Sequence, residues 1–340
     1  MNGAAGGTGT AEDDAMAGAG GLVRNAGKST DWATQADSFT FKNCLLAGGA
    51  GGLGGAAFKC VLENCVISNN LANTGGGCYR CKLIDCTVVT NLTFGKNSNL
   101  GGGIYGGFAV NSVLEFNCNT NLNTSGGGAA YAELTNCIVR GNFATSNGGG
   151  IVGGTSVNCI ICGNVSLRNG GGSGGGGIYL GTHYNALVYG NTSGNKGGGA
   201  CDGTYYNCTF TGNEVVQMAA GDGNHSGGVE GGTFVNCISW GNGGKDDVAT
   251  VASNCCLKST LVSSDGHEYV DCINSNPRLD ATFHSLSAKC KNRGLVFEWM
   301  ADPEDARSKD LEGNPRLFGE YPDLGCFERQ FTPGLLLMVK

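Results

Sequence analysis

Along most of the chain, short stretches alternate apolar and polar residues with a period of two, as in Ile84-Asp85-Cys86-Thr87-Val88 and Tyr206-Asn207-Cys208-Thr209-Phe210. Such alternation puts every second side chain on one face and predicts half-buried β-strands. The stretches recur in register. Asn-Cys falls at Asn43-Cys44, Asn64-Cys65, Asn136-Cys137, Asn158-Cys159, Asn207-Cys208 and Asn236-Cys237; Asp85-Cys86 is a near match, and Asn111-Ser112 and Asn185-Ala186 are disguised copies. Five residues past the Cys position stands an Asn, at Asn70, Asn91, Asn117, Asn142, Asn164, Asn191, Asn213 and Asn242, whereas the first copy has Gly49 there. Eight residues before the Cys position, a glycine run ends in a small or apolar residue: Ala57, Cys78, Ile104, Ala129, Ile151, Ile178, Ala200 or Val229. Cys and the residue two beyond it are predicted to face inward, which gives a core column of Leu46, Ile67, Val88, Leu114, Val139, Ile161, Val188 and Phe210.

All length variation falls between the Asn and the next glycine run, so the period runs from 21 to 29 residues. Short strands, glycine turns and insertions at one corner predict a solenoid. Leucine is too sparse for leucine-rich repeats. The expected fold is all-β, a right-handed parallel β-helix of about 10–12 coils.

Composition sharpens this picture. The chain has 340 residues with 63 glycines, 40% hydrophobic residues and 14% charged residues. That apolar content argues against disorder, and the glycines lack the strict third-residue period of collagen. A net charge of −7 disfavours a nucleic-acid partner. No apolar run is long enough to form a transmembrane helix. All five prolines and many of the charges lie beyond residue 265, where the glycines thin out. The expected divisions are a Gly/Ala-rich segment at 1–38 that forms at most a partial coil, β-helix repeats at 39–264, C-terminal coils with a capping segment at 265–330, and a tail at 331–340.

The glycine-run and Asn elements resemble the GGxI and FxxN repeats of polymorphic outer-membrane-protein and pectate-lyase-like β-helix families. Phe283-His284-Ser285-Leu286-Ser287-Ala288, Asp310-Leu311-Glu312-Gly313-Asn314-Pro315-Arg316 and Asp323-Leu324-Gly325-Cys326-Phe327-Glu328 resemble closing segments of bacterial parallel β-helix repeat proteins with a choice-of-anchor region. The resemblance implies a secreted or bacterial cell-surface protein. It implies no single activity, since many functions share the fold. The closing motif also implies an ion pair between Arg316 and Asp323 or Glu328.

The 18 cysteines are read mainly as small packing residues. Cys44, Cys65, Cys86, Cys137, Cys159, Cys208 and Cys237 share one inward column, which also accepts Ser112 and Ala186. Cys60 and Cys81 lie in a different column, at a turn, and form the candidate disulfide. No metal site is expected from the cysteines, because Cys78-x-x-Cys81 has no second pair at zinc spacing. The recurrent Asn residues are expected to stack at a turn and satisfy backbone groups. Asn-x-Ser/Thr sequons at Asn91, Asn123, Asn164, Asn191, Asn207 and Asn224 follow from the Asn/Thr-rich composition.

Two outward sets carry candidate chemistry. Phe58, Tyr79 and Tyr105 in consecutive copies, with Tyr179 later, could form a platform for sugar rings. Asp202 and Glu230 in adjacent coils, with Asp222 and His225 on the longest loop, could bind Ca²⁺ or perform acid/base chemistry. Lys59 and Arg80 recur in adjacent copies and offer a thin basis for a uronate site. No cofactor is expected, and Ca²⁺ is the one candidate ion. The expected function is a non-catalytic adhesion, glycan-binding or display role with a polysaccharide or cell-surface ligand as partner. The alternative is a polysaccharide lyase or glycosidase on the same fold.

Overall fold

The computed structural model describes residues 21–24, 39–94, 100–120, 124–167, 174–216, 225–244, 247, 249–259, 261, 263 and 266–329. Its strands stack in parallel into a β-solenoid of about nine turns, slightly fewer than the spacing predicts. One turn runs through Ala57–Phe58, Val61–Glu63, Val66–Ser68 and Leu71–Thr74. These strands belong to four sheets, here sheets 1 to 4 in that order, with nine, eleven, ten and eight strands. The neighbours of each strand are the equivalent strands of the turns before and after, as in Val61↔Lys82↔Phe108. Val23–Arg24 begins sheet 1 against Ala57–Phe58, so the described part of the N-terminal segment contributes a strand.

The middle residue of each three-residue strand in sheets 2 and 3 points inward, because side chains alternate along a strand. In sheet 3 the column from Ile67 to Phe210 is fully buried. In sheet 2 the equivalent column passes through Leu62, Leu83, Ala109, Leu134, Ser156, His183, Tyr205 and Phe234. The late rings of this column stack, His183 on Tyr205 at 5.2 Å and Tyr205 on Phe234 at 4.7 Å between centroids.

Gly101-Gly102-Gly103 shows why each turn needs its glycine run. Gly101 has φ +70°, open to glycine and strained for most L-residues. A Cβ on Gly102 would stand 2.4 Å from the carbonyl oxygen of Gly127 in the next turn, so backbone approaches backbone directly. Gly103 lies against the amide of Asn117.

The solenoid continues past residue 265, since Glu268–Val270 closes sheet 2 on Val251–Ser253. Beyond it, residues 274–329 form an irregular strap with three short 3₁₀ helices, Ala288–Cys290, Glu298–Ala301 and Ala306–Ser308. The strap lies along the side of the solenoid, reaching back to Asn158, whose Nδ2 donates to the carbonyl of Ala306 at 2.9 Å.

Candidate functional site

The eight Asn residues past the Cys position form one hydrogen-bonded ladder inside the corner between sheets 3 and 4. In Asn91 both the backbone N–H and Nδ2 donate to Oδ1 of Asn117 at 3.0 Å, and Nδ2 also donates to the carbonyl of Ile67 in the preceding turn. The pattern repeats from Asn70 through Asn142, Asn164 and Asn191 to Asn213, which donates to Asn242. Where the first copy has Gly49, its backbone N–H donates to Asn70 Oδ1 at 2.8 Å. The sequons at Asn91, Asn164, Asn191 and Asn207 are buried; those at Asn123 and Asn224 lie outside the described residues.

The Cys column runs beside the ladder. Backbone N–H groups donate to the sulfur of the next turn, Cys44 to Cys65 at 3.4 Å, Cys137 to Cys159 at 3.4 Å and Cys208 to Cys237 at 3.4 Å, while Cys86 donates to Ser112 Oγ at 3.0 Å. No disulfide joins any of the 18 cysteines in this structure. The candidate Cys60–Cys81 disulfide is therefore not formed. The two stack in the same way as the others, Cys60 N–H donating to Cys81 Sγ at 3.5 Å, because parallel stacked strands carry parallel Cβ vectors. Burial pushes the Cys86 thiol up to about 11 and raises Cys159 and Cys208 well above their ordinary value. Such thiols are poor nucleophiles at neutral pH.

Register places Phe58, Tyr79 and Tyr105 in one outward column of sheet 1. Their rings stack nearly parallel at 5.4 and 5.1 Å between centroids. Tyr131, from the turn after Tyr105, meets Tyr105 edge-on. Most ring faces are thus spent on neighbouring rings, and Phe58 is buried. Tyr79 and Tyr105 are half-buried. Ala130 and Val152 separate Tyr179 from this stack, so it stands apart. Lys59 lies over the Phe58 ring at 5.3 Å and Arg80 over the Tyr79 ring at 5.4 Å. Arg24 pairs in register with Phe58, which adds a third cation to the same flank. Burial, with Arg80 beside it, lowers the Lys59 pKa.

The acidic set converges in part. His225 Nδ1 and Glu230 Oε1 stand 2.8 Å apart, Ser226 N–H donates to Glu230 Oε2 at 3.2 Å, and Lys196 Nζ is 3.8 Å from Glu230 Oε1. Asp202 sits one turn back at a corner with φ 55°, its carboxylate accepting from Cys201 Sγ at 3.6 Å. Burial pushes the Cys201 thiol up to about 12. Asp222 lies outside the described residues. Among the described residues no three or more His, Cys, Asp or Glu side chains gather as a metal site, and no helix is long and apolar enough to cross a membrane.

The closing motif is arranged differently from the expected ion pair. Arg316 is fully buried and donates through Nη2 to the backbone carbonyl of Asp323 at 2.9 Å. The carboxylates instead accept backbone N–H groups: Asp323 N–H donates to Glu328 at 2.8 Å and Glu328 N–H to Asp310 at 2.9 Å. The guanidinium still acts on Asp323 and Glu328 through its charge, which favours their ionised forms against the cost of burial. Burial pushes Glu328 up to about 8 and raises Asp323.

Sequence reasoning left the first Asn of Asn-Cys without a role. In Asn43, Asn64, Asp85, Asn111, Asn136, Asn158, Asn185, Asn207, Asn236 and Asn254 φ lies between 49° and 56°. These residues turn the chain from sheet 2 to sheet 3, in the left-handed conformation that Asn and Asp tolerate best among side-chain-bearing residues. The signal was present: only Asn or Asp occurs there. The strap binds along this corner, and Tyr184 and Tyr206 meet Trp299 and Phe297 edge to face.

Compared with protein-family models and with curated proteins, the chain matches none.

Proposed function

We propose that the chain is the solenoid of a secreted or cell-surface protein that binds an acidic glycan without transforming it, in adhesion or display. The observation that supports this reading is the stacked Phe58–Tyr79–Tyr105 column with Arg24, Lys59 and Arg80 on the same flank. Phenolic hydroxyls hydrogen-bond sugar hydroxyls, and cations repeated once per turn meet carboxylates repeated along a linear polymer. Cations on one flank of a chain of net charge −7 steer such a ligand to that flank. The test is retention of the protein on immobilised acidic and neutral polysaccharides, with and without Ca²⁺, across a salt series. Retention on acidic polymers that weakens with salt and falls in Arg80→Ala and Lys59→Ala is expected. Equal retention on neutral polymers, or none on acidic ones, overturns the reading.

A second reading, a polysaccharide lyase or glycosidase, is favoured by the His225–Glu230 contact with Asp202 one turn away. A Glu-oriented imidazole is a general-base arrangement. New reducing ends or unsaturated products that disappear in Glu230→Gln would establish it and displace the first.

A further inference from the structure

Among the described residues, the corner where sheet 2 passes into sheet 3 is covered by the strap in its second half and open in its first. Outward from sheet 3 at this corner, Leu187 is 3% and Ile238 1% exposed, whereas Val66 is 40% and Leu45 69% exposed. All four belong to one register-matched column.

The covered half shows how this corner holds a polypeptide. Asn185 uses one amide hydrogen on Asn158 Oδ1 at 2.9 Å and donates again to the strap carbonyl of Lys309 at 2.7 Å. Asn236 donates to Asn207 Oδ1 at 3.0 Å and to the strap carbonyl of Leu295 at 2.9 Å. Asn254 donates to the carbonyl of Arg293 at 2.9 Å. Strap residues Cys290 and Leu324 bury themselves against Ile238 and Cys256 of sheet 3. The recognition is general: corner amides take backbone carbonyls, and the flanking apolar column takes side chains.

The open half repeats the same parts in four of its five turns, with Asp85 in place of the corner amide in the third. Asn64 donates to Asn43 Oδ1 at 2.7 Å and Asn136 to Asn111 Oδ1 at 3.2 Å, with the same left-handed backbone. These bonds correspond to the first of the two that Asn185 and Asn236 make, and each amide nitrogen carries a second hydrogen. Ile84 and Val110 flank the corner from sheet 2, Val113 and Ile138 from sheet 3. Of the charges at this corner, Lys42 pairs with Glu63 and Arg140 with Glu115, each at 2.6 Å, while Lys82, Asp85 and Glu133 are exposed.

We infer that the open corner from Asn43 to Asn136 is a docking site for an extended, apolar polypeptide segment of another molecule, held as the strap is held. The site lies on a different flank from the proposed glycan column and does not depend on it.

The probe is a fluorescent synthetic peptide of the strap sequence Lys291–Met300, titrated into the full chain and followed by anisotropy. Two variants report on the open half alone. Asn64→Gly with Asn136→Gly keeps the left-handed corner and removes the donors; Val66→Asp with Ile138→Asp charges the outward column and leaves the core untouched. Saturable binding that weakens about tenfold or more in both, roughly 1.4 kcal/mol, with unchanged Tm, is the expected result. No saturation at millimolar peptide, or equal binding by the variants, overturns the inference. Self-association of the wild type that Val66→Asp abolishes overturns it in favour of a second copy, and displacement of the peptide by a polysaccharide overturns it in favour of a glycan.

Discussion

A Cβ on Gly103 would stand 3.0 Å from both Cγ and Nδ2 of Asn117, so the last glycine of a run and the ladder Asn of the same turn pack face to face across the interior. The same contact links Gly77 with Asn91, Gly150 with Asn164 and Gly177 with Asn191. Glycine run and Asn are thus two halves of one device that closes the sheet 4 side of each turn.

Asn117→Ala removes the acceptor of the Asn91 N–H and Nδ2 in a fully buried corner. Stability is expected to fall by about 3 kcal/mol, the scale set by leaving buried polar groups unmade. Gly103→Ala, whose Cβ would also meet the Gly128 carbonyl at 2.6 Å, is expected to cost at least as much. Chemical denaturation of both variants checks this, and a loss under 1 kcal/mol in both would count against a structural ladder.

His183 is buried in the core, its Nδ1 2.8 Å from Ser156 Oγ and its Nε2 2.9 Å from the Leu180 carbonyl, and burial pulls its pKa down to about 4. The unfolded chain, with an ordinary histidine near 6.5, binds the proton more readily. Its contribution is therefore fully present above pH 6.5 and is lost as pH falls toward 4, by up to roughly 3 kcal/mol. His183→Phe continues the stack of Tyr205 and Phe234, and should flatten the stability profile between pH 4 and 6.5.

Glu328 behaves in the opposite sense. Its folded pKa of about 8 lies above the ordinary 4.5, so its contribution is present below pH 4.5 and is lost as pH rises through 8. Glu328→Gln should keep the Asp323 N–H acceptor and make the strap less sensitive to mild alkali. Hydrogen exchange of the strap at pH 6 and pH 9 reads this directly.

Thr90 holds φ 54° at the corner before ladder residue Asn91, a conformation that costs a β-branched residue about 1–2 kcal/mol. Thr90→Asn accepts this backbone more readily and can replace the 3.0 Å bond that Thr90 Oγ1 donates to Asn69 Oδ1. A gain of roughly 0.5–1 kcal/mol is expected in thermal unfolding.

Thiol titration in denaturant should count all 18 cysteines as free. A count below that by two or more would show that a pair such as Cys60 and Cys81 is oxidised in the isolated protein.

The turn-by-turn architecture was legible in the chain because it is built from local, repeated constraints. Strand alternation sets which residues face inward, and a fixed spacing from glycine run to Cys to Asn sets the register, so the sequence alone places Ile67, Val88 and Leu114 in one column. What only the tertiary structure decided lies in contacts between residues far apart in sequence or in ring orientation. Asn158 meets Ala306, 148 residues away, and no periodicity encodes that pairing, so the C-terminal region reads as a cap but folds as a lateral strap. Phe58, Tyr79 and Tyr105 share a column by register, yet whether their rings face solvent or each other depends on side-chain packing, which spends their faces on one another. Arg316 likewise looks like an ion-pair partner in a linear motif, whereas burial in three dimensions turns it to a backbone carbonyl. Repetition fixed the rod; the irregular strap, which repeats nothing, could be placed only by the folded chain.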